Sequence, residues 1–233
     1  MRQQERPRVL ALIPAWNEAT RIAPIIEEAR QHVPVLVVDD GSVDETPEVA
    51  EAAGATVVRH LANRGKGAAL QTGFQWVLDH DYDAVITLDA DGQHDPTEIP
   101  RFLVALEEEA GDLIIGERRF SEMAWPRPVT TRFGAWVLSM ALGTRVTDNQ
   151  SGFRLLTRRF LKALQLTSTG FEMEVEMIWE AVRLGMPIAW VPIRTIYGID
   201  KQSYFRPIRD SWHFLRMVWG IWRRRRQVER EQI

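Results

Sequence analysis

Short uninterrupted apolar runs alternate with longer segments in which apolar residues recur every three or four positions. Residues 8–13 form such a run, closed by Pro14, and read as a buried strand. Asn17 is a cap candidate for a helix reaching about residue 30. A second buried strand over 35–38 stops at Asp39-Asp40-Gly41-Ser42. A helix from about Asp44 ends at Gly54, and a third strand occupies 55–59. Residues 65–80 are helical in pattern, and a fourth strand over 84–88 ends at Asp89. Apolar strands alternating with helices predict a parallel sheet covered on both faces. In such sheets ligands bind beyond the carboxyl ends of the strands. Trp16-Asn17-Glu18, Asp39-Asp40-Gly41-Ser42 and Asp89-Ala90-Asp91 each fall at such an end, so three polar clusters are expected on one rim.

The second half is less regular. Residues 112–116 read as a strand, 133–142 as an apolar helix, 148–156 as a loop and strand, and 175–184 as a helix ended by Gly185. Residues 188–193 read as a strand in which Pro192 marks an edge or a bulge. A last helix is predicted over 207–227. No internal repeat or low-complexity linker divides the chain.

Composition changes this picture little. At 233 residues, 45% hydrophobic and 26% charged, the chain suits one α/β domain. A net charge of −3 gives no global attraction to nucleic acid, and no stacking platform accompanies the local arginines. Cysteine is absent, which removes disulfides and thiolate metal sites and fits a reducing compartment. The polar residues 1–8 lack a secretory apolar core, and no apolar run reaches the roughly 18–20 residues of a membrane span.

The candidate chemistry lies in the strand-end clusters. Asp89 and Asp91 are two carboxylates one residue apart, followed by Gly92-Gln93-His94. Magnesium-like cations are held by one or two carboxylates together with substrate phosphates, and Gly92 allows a sharp turn. A solvated acidic turn explains the same spacing equally well. An EF-hand does not, because glycine stands fourth and Pro100 twelfth. Asn63-Arg64-Gly65-Lys66-Gly67 is basic and glycine-rich, but Gly67 follows Lys66 where a P-loop needs Ser or Thr. It can still present Lys66 and helix-start amides to an anion.

Taken in order, Ile13-Pro-Ala-Trp-Asn-Glu18, the segment 37–46, Asn63 to Ala69, Asp89-Ala-Asp-Gly-Gln-His94, Gly116-Glu-Arg118 and Gln150-Ser-Gly-Phe-Arg154 resemble family 2 glycosyltransferases of the GT-A fold. Within that family they look like the dolichol- and polyprenyl-phosphate sugar transferases. The resemblance covers residues 9–210 and implies a single GT-A-type, Rossmann-like α/β domain over 1–206 with a mostly parallel central sheet. It places Pro14, Trp16, Glu18 and Asp39 at the donor nucleoside, Asp40 in support, and Lys66 and Ala90 near the nucleotide. It places Asp89 and Asp91 at a Mg²⁺ or Mn²⁺ ion and the diphosphate, with Gln93 completing the coordination. Arg118 and Arg132 match positions that hold an acceptor phosphate, and Arg154 joins them as a basic candidate. Lys201 would close over the diphosphate. The arginine usual just before that loop is missing, and Arg194 or Arg206 would have to substitute.

Cleaving the sugar–phosphate bond leaves a diphosphate whose charge a divalent cation and basic side chains stabilise. A phosphate acceptor is already an anion and needs Arg rather than a base; Arg119 and Arg127 add to the candidates. A hydroxyl acceptor needs a general base, for which Asp148 and Glu174 stand out, although the stretch 171–176 also reads as a half-exposed amphipathic segment. A single inverting displacement is expected.

Residues 207–233 are expected to form an amphipathic helix. Trp212, Leu215, Trp219 and Trp222 share one face, and Arg223 to Arg226 form a cationic block. Such a helix either lies in a bilayer interface or packs on the domain. Residues 133–142 are either a second apolar contact or core. The leading expectation is transfer from a nucleotide sugar, UDP- or GDP-linked, to a polyprenyl phosphate or other lipid acceptor at the cytoplasmic membrane face, anchored by the helix or a separate membrane subunit, with a homo-oligomer as a further candidate assembly. The alternatives are transfer to a sugar or lipid hydroxyl, and a non-catalytic nucleotide-sugar-binding module.

Overall fold

The computed structural model describes residues 6–118, 127–168, 172–194 and 196, together with 218, 220 and 223. The strands are β1 (Val9–Ala15), β2 (Val35–Asp39), β3 (Thr56–Arg59), β4 (Ala84–Thr87), β5 (Leu113–Arg118), β6 (Arg154–Thr157) and β7 (Ile188–Ile193). The helices are α1 (Ile22–Ala29), α2 (Thr46–Ala52), α3 (Lys66–Asp79), α4 (Ile99–Glu107), α5 (Arg127–Leu142), α6 (Arg158–Ala163) and α7 (Glu172–Arg183).

The strands make one sheet in the order β3-β2-β1-β4-β6-β5-β7. Alternate residues of each strand feed opposite layers. Leu10, Leu12, Leu36, Val38 and Val85 pack under α3 and α5–α7, with Leu70, Phe74, Leu138, Phe160 and Trp179. Val9, Ala11, Ile13, Val35, Val37 and Ile86 pack under α1, α2 and α4, with Ile22, Ile26, Ala50, Ile99 and Phe102. Burying each such Leu or Ile contributes about 1.5–3 kcal/mol. Both faces are covered, so the strands are continuous apolar runs rather than alternating ones.

The first four strands are parallel, in the order β3-β2-β1-β4. Then the direction changes. β6 lies antiparallel between β4 and β5, pairing Thr87 with Arg154 and Ile115 with Arg154. The start of β6 therefore shares a rim with the ends of β1, β2, β4 and β5. β7 pairs parallel to β5 at the sheet edge, where Pro192 removes no ladder bond the sheet needs.

Three expectations from the sequence change. Asn17 does not cap α1: it adopts a left-handed conformation (φ 56°), and α1 begins at Ile22 without a side-chain cap. The helix expected from about Asp44 starts at Thr46, where the Asp44 carboxylate accepts from the Thr46 amide and hydroxyl. The pattern also missed α6, and it missed α4 with the short 3₁₀ turn Pro96–Glu98 before it, whose two prolines stand at N-terminal helix positions that need no amide donor. Of the predicted C-terminal helix, only 218, 220 and 223 are described. All three are helical; Val218 is buried in the layer of Leu138 and Trp179, and Arg223 is exposed. The rest of 207–233, like Arg119 and Lys201, lies outside the described residues.

Candidate active site

The rim is built from two corners. The first stitches the ends of β1 and β2. The Asn17 amide donates to Ser42 Oγ and its side chain accepts from the Val43 amide. The Glu18 amide donates to Thr46 Oγ1, and Arg21 pairs with the Glu18 carboxylate at 2.8 Å. Burial raises the Glu18 pKa; Arg21 opposes this, and the charges of Asp91 and Asp44 add to it. Pro14 is buried within β1, and Trp16 stands exposed beyond its end.

Asp39 and Asp40 are both buried at the end of β2. Asp39 accepts from the Ser42 amide and pairs with Arg59 Nε at 3.2 Å, while Arg59 also donates to the Ser42 carbonyl. Asp40 accepts from the Arg64 and Gly65 amides and lies 2.7 Å from His60 Nδ1. The other ring nitrogen of His60 meets Thr72 Oγ1 at 2.9 Å. Asp40 thereby fixes the turn that starts α3, and Lys66 is the first residue of that helix. Arg59 and His60 were missed from sequence; their signal was the end of a strand paired beside β2.

The second corner is a chain of charges. Lys66 Nζ lies 2.7 Å from Asp89 Oδ1 and 3.1 Å from Glu174 Oε1. Burial disfavours the Lys66 charge, but the two carboxylates more than offset it and raise its pKa. Burial also works against ionised Asp89; Lys66, then His94, outweigh it and hold the carboxyl at about 2. The Asp89 amide donates to His94 Nδ1 at 3.0 Å, and His94 is buried against Phe153. Burial lowers the His94 pKa against the pull of Asp89. Glu174 is buried, and its second oxygen has no hydrogen-bond partner.

The loop 148–152 closes over this corner. A side chain at Gly152 would put its Cβ 2.9 Å from Asp89 Oδ2 and 3.2 Å from Lys66 Nζ, so only glycine lets the loop approach so closely. Asp148 is fully buried and takes a two-point pair from Arg118, at 2.6 and 2.9 Å. Arg154 is 1% exposed and donates to the carbonyls of Ser151, Glu174 and Asn149. Burial lowers its pKa to about 10, although Glu174, Asp148 and Asp89 favour its charge. Arg154 thus lies inside the loop, whereas Arg132 stands exposed on α5.

Asp91 accepts from the Gln93 amide and from Gln93 Nε2, across a turn in which Gly92 has φ 78°. Ala90 is buried between the two aspartates. Among the described residues, no three His, Cys, Asp or Glu side chains gather into a metal cage. Asp89 held ionised, Asp91 and the side-chain carbonyl of Gln93 offer hard oxygen ligands, a partial set that fits Mg²⁺ or Mn²⁺ when substrate oxygens supply the rest. The exit of β7 abuts this turn: the Ile196 amide donates to the Gln93 carbonyl, and the Arg194 amide to buried Glu98.

The glycosyl transferase family 2 model matches residues 11–164. The chain is 35% identical over 215 residues to an undecaprenyl-phosphate mannosyltransferase of Micrococcus luteus, covering 84% of this chain and 88% of that one. It is 31% identical over 234 residues to the polyprenol monophosphomannose synthase of Mycolicibacterium smegmatis, covering 92% and 87%. The fold is similar to glucosyl-3-phosphoglycerate synthase of Mycobacterium tuberculosis, solved with Mn²⁺, uridine diphosphate and phosphoglyceric acid, with a TM-score of 0.71 at 24% identity over 92% of this chain and 77% of that one. The sheet, the rim and these matches identify the chain as a member of glycosyl transferase family 2, and hence as a glycosyltransferase.

Proposed function

We propose that this enzyme transfers a sugar, with inversion, from a UDP- or GDP-linked donor to the phosphate of a polyprenyl phosphate. The observation that carries the reading is the two-point Arg118–Asp148 pair beside the Asp89–Lys66–Glu174 chain. Asp148, a base candidate for a hydroxyl acceptor, is enclosed and spent on Arg118. A phosphate acceptor needs no base but a positioned cation, and Asp148 fixes the Arg118 guanidinium in place. The Micrococcus and Mycolicibacterium relatives, by name transferases to undecaprenyl phosphate and polyprenol, support the same acceptor.

In this reading Glu18, Asp39 and Trp16 bind the donor nucleoside, with Pro14 shaping the strand end beneath. Asp89, Asp91 and Gln93 would hold Mg²⁺ or Mn²⁺, as suits a fold whose mycobacterial example was solved with Mn²⁺ and uridine diphosphate. When bound, the cation neutralises charge that grows on the leaving diphosphate. Lys66 adds a fixed positive charge beside the same phosphates. Lys66 favours the ionised form of Asp89, which suits a ligand rather than a proton acceptor. Arg118, with Arg132, holds the acceptor phosphate for in-line attack on the sugar, while Arg154 positions the loop from inside. In the same reading residues 1–206 are the catalytic domain, and the enzyme works at the cytoplasmic face of a membrane.

A second reading rests on one atom. The unpartnered Glu174 Oε2 suits a general base for a sugar or lipid hydroxyl. The two separate in one experiment. The protein is incubated with a panel of nucleotide sugars, Mn²⁺ or Mg²⁺, and a short water-soluble polyprenyl phosphate or a neutral glycolipid, and products are read by mass and anomeric configuration. A glycosyl phosphate of inverted configuration is expected. Product on the glycolipid alone selects the hydroxyl reading, and retained configuration rejects a single displacement.

A further inference from the structure

Helix α5 has two apolar faces. Ala135, Leu138, Ala141 and Leu142 are buried in the layer beneath the sheet. On the other side Phe133 and Trp136 are 60% exposed and Met140 is 67% exposed. At 100° per residue, these three fall within an arc of about 60°, opposite the buried set. The Phe133 and Trp136 rings lie 6.1 Å apart, so the two aromatics make one continuous patch. Three large apolar side chains held in water on one helix are not core and do not stabilise the free protein. Such a patch marks a surface that meets something.

Charge identifies the occupant. From Arg127 to Thr147 the sequence holds Arg127, Arg132 and Arg145 and no Asp or Glu, in a chain whose net charge is −3. Arg132 and Arg145 are exposed. An apolar stripe on a segment whose only charged residues are arginines matches the boundary between acyl chains and anionic headgroups. α5 is also tied to the site. Ser139 Oγ accepts from the Val146 amide at 2.9 Å, just before Asp148 and its pair with Arg118. No helix among the described residues is long and apolar enough to cross a membrane, so contact through α5 lies along the surface.

We propose that the Phe133–Trp136–Met140 face of α5 rests in an anionic lipid surface and sets the height of the Arg118 corner above it. This deepens the polyprenyl-phosphate reading, on which it rests, by naming the face through which a lipid-borne acceptor is met.

The test is the full chain carrying Phe133→Ser, Trp136→Ser and Met140→Ser together, compared with the parent. These side chains are exposed, so the melting temperature should hold. Co-sedimentation uses vesicles of phosphatidylcholine with and without phosphatidylglycerol. The triple variant should partition at least about tenfold less onto the anionic vesicles. Transfer to polyprenyl phosphate in those vesicles should fall with it, and transfer to a short water-soluble polyprenyl phosphate should not. Equal partitioning of variant and parent overturns the proposal, as does a parent that ignores anionic vesicles. A parent dimer that the variant turns into a monomer, with partitioning unchanged, assigns the face to a second copy instead. Failure of the acceptor reading looks different: no polyprenyl phosphate is glycosylated in any form, while partitioning, which needs no substrate, still decides the role of α5.

Discussion

The two corners of the rim both display aspartates at strand ends, yet they hold them by different means. Asp40 is enclosed, and its oxygens are taken by the Arg64 and Gly65 amides and by His60. Asp89 keeps 28% of its side chain exposed and is paired with the ammonium of Lys66. A carboxylate tied to backbone amides is a strut whose loss orphans buried donors. A carboxylate tied to one lysine can exchange that partner for a cation or a phosphate-bound metal. The difference separates residues that shape the site from residues that act in it, although both look alike as Asp in sequence.

Substitutions at the two corners should part in kind. Asp89→Asn should lower the transfer rate by about 10³-fold or more, from the lost ligand and the misplaced Lys66, with a small change in melting temperature. A rate within tenfold of the parent's would put Asp89 outside the reaction. Asp40→Ala should reverse the pattern and cost about 3 kcal/mol of stability in denaturant unfolding. A full-stability variant would mean that the α3 turn holds itself.

Gly152→Ala probes how close the two parts of the second corner must be. The new Cβ would meet flexible side-chain ends, so stability should fall by about 1 kcal/mol or less. Displacing Asp89 and Lys66 should still lower the rate about tenfold; an unchanged rate would show that the loop can retreat freely. The smallest effect is in pH. The Asp89 pKa lies below its ordinary 3.8, so the stability from its pair with Lys66 is complete above that value and lost as pH falls towards 2. In acid titrations Asp89→Asn should lose less stability than the parent over that window.

How much of this the sequence disclosed depended on strand direction. In the parallel half each strand ends where the rim is, so Glu18, Asp39 and Asp89 could be gathered from the pattern alone. Arg59 and His60 escaped because pairing across strands, not spacing along the chain, brings them to Asp39 and Asp40. The second half concealed more. β6 runs backwards, so its polar residues reach the rim from before the strand, and Asp148 and Arg154 looked like surface charges available to substrate. Their burial depends on partners about 20–30 positions away, Glu174 and Arg118, which no periodicity reports. Lys66 was legible as a basic residue at a helix start, but its bridge to Glu174 spans 108 positions.

The backward strand also sets the order in which the molecule can be made. β4 and β5 are neighbours in the chain but not in the sheet, because β6 fills the place between them. A growing chain that has reached Arg118 has four parallel strands and an unpaired β4 edge, with Asp89 beside it. That edge can close only after residues 154–157 emerge and slot in. Until then it is an open template for another chain, and the long-range pairing that closes it is slow. The step that completes the catalytic rim is thus also the one that covers this open edge, so incompletely synthesised molecules should be both inactive and prone to aggregate.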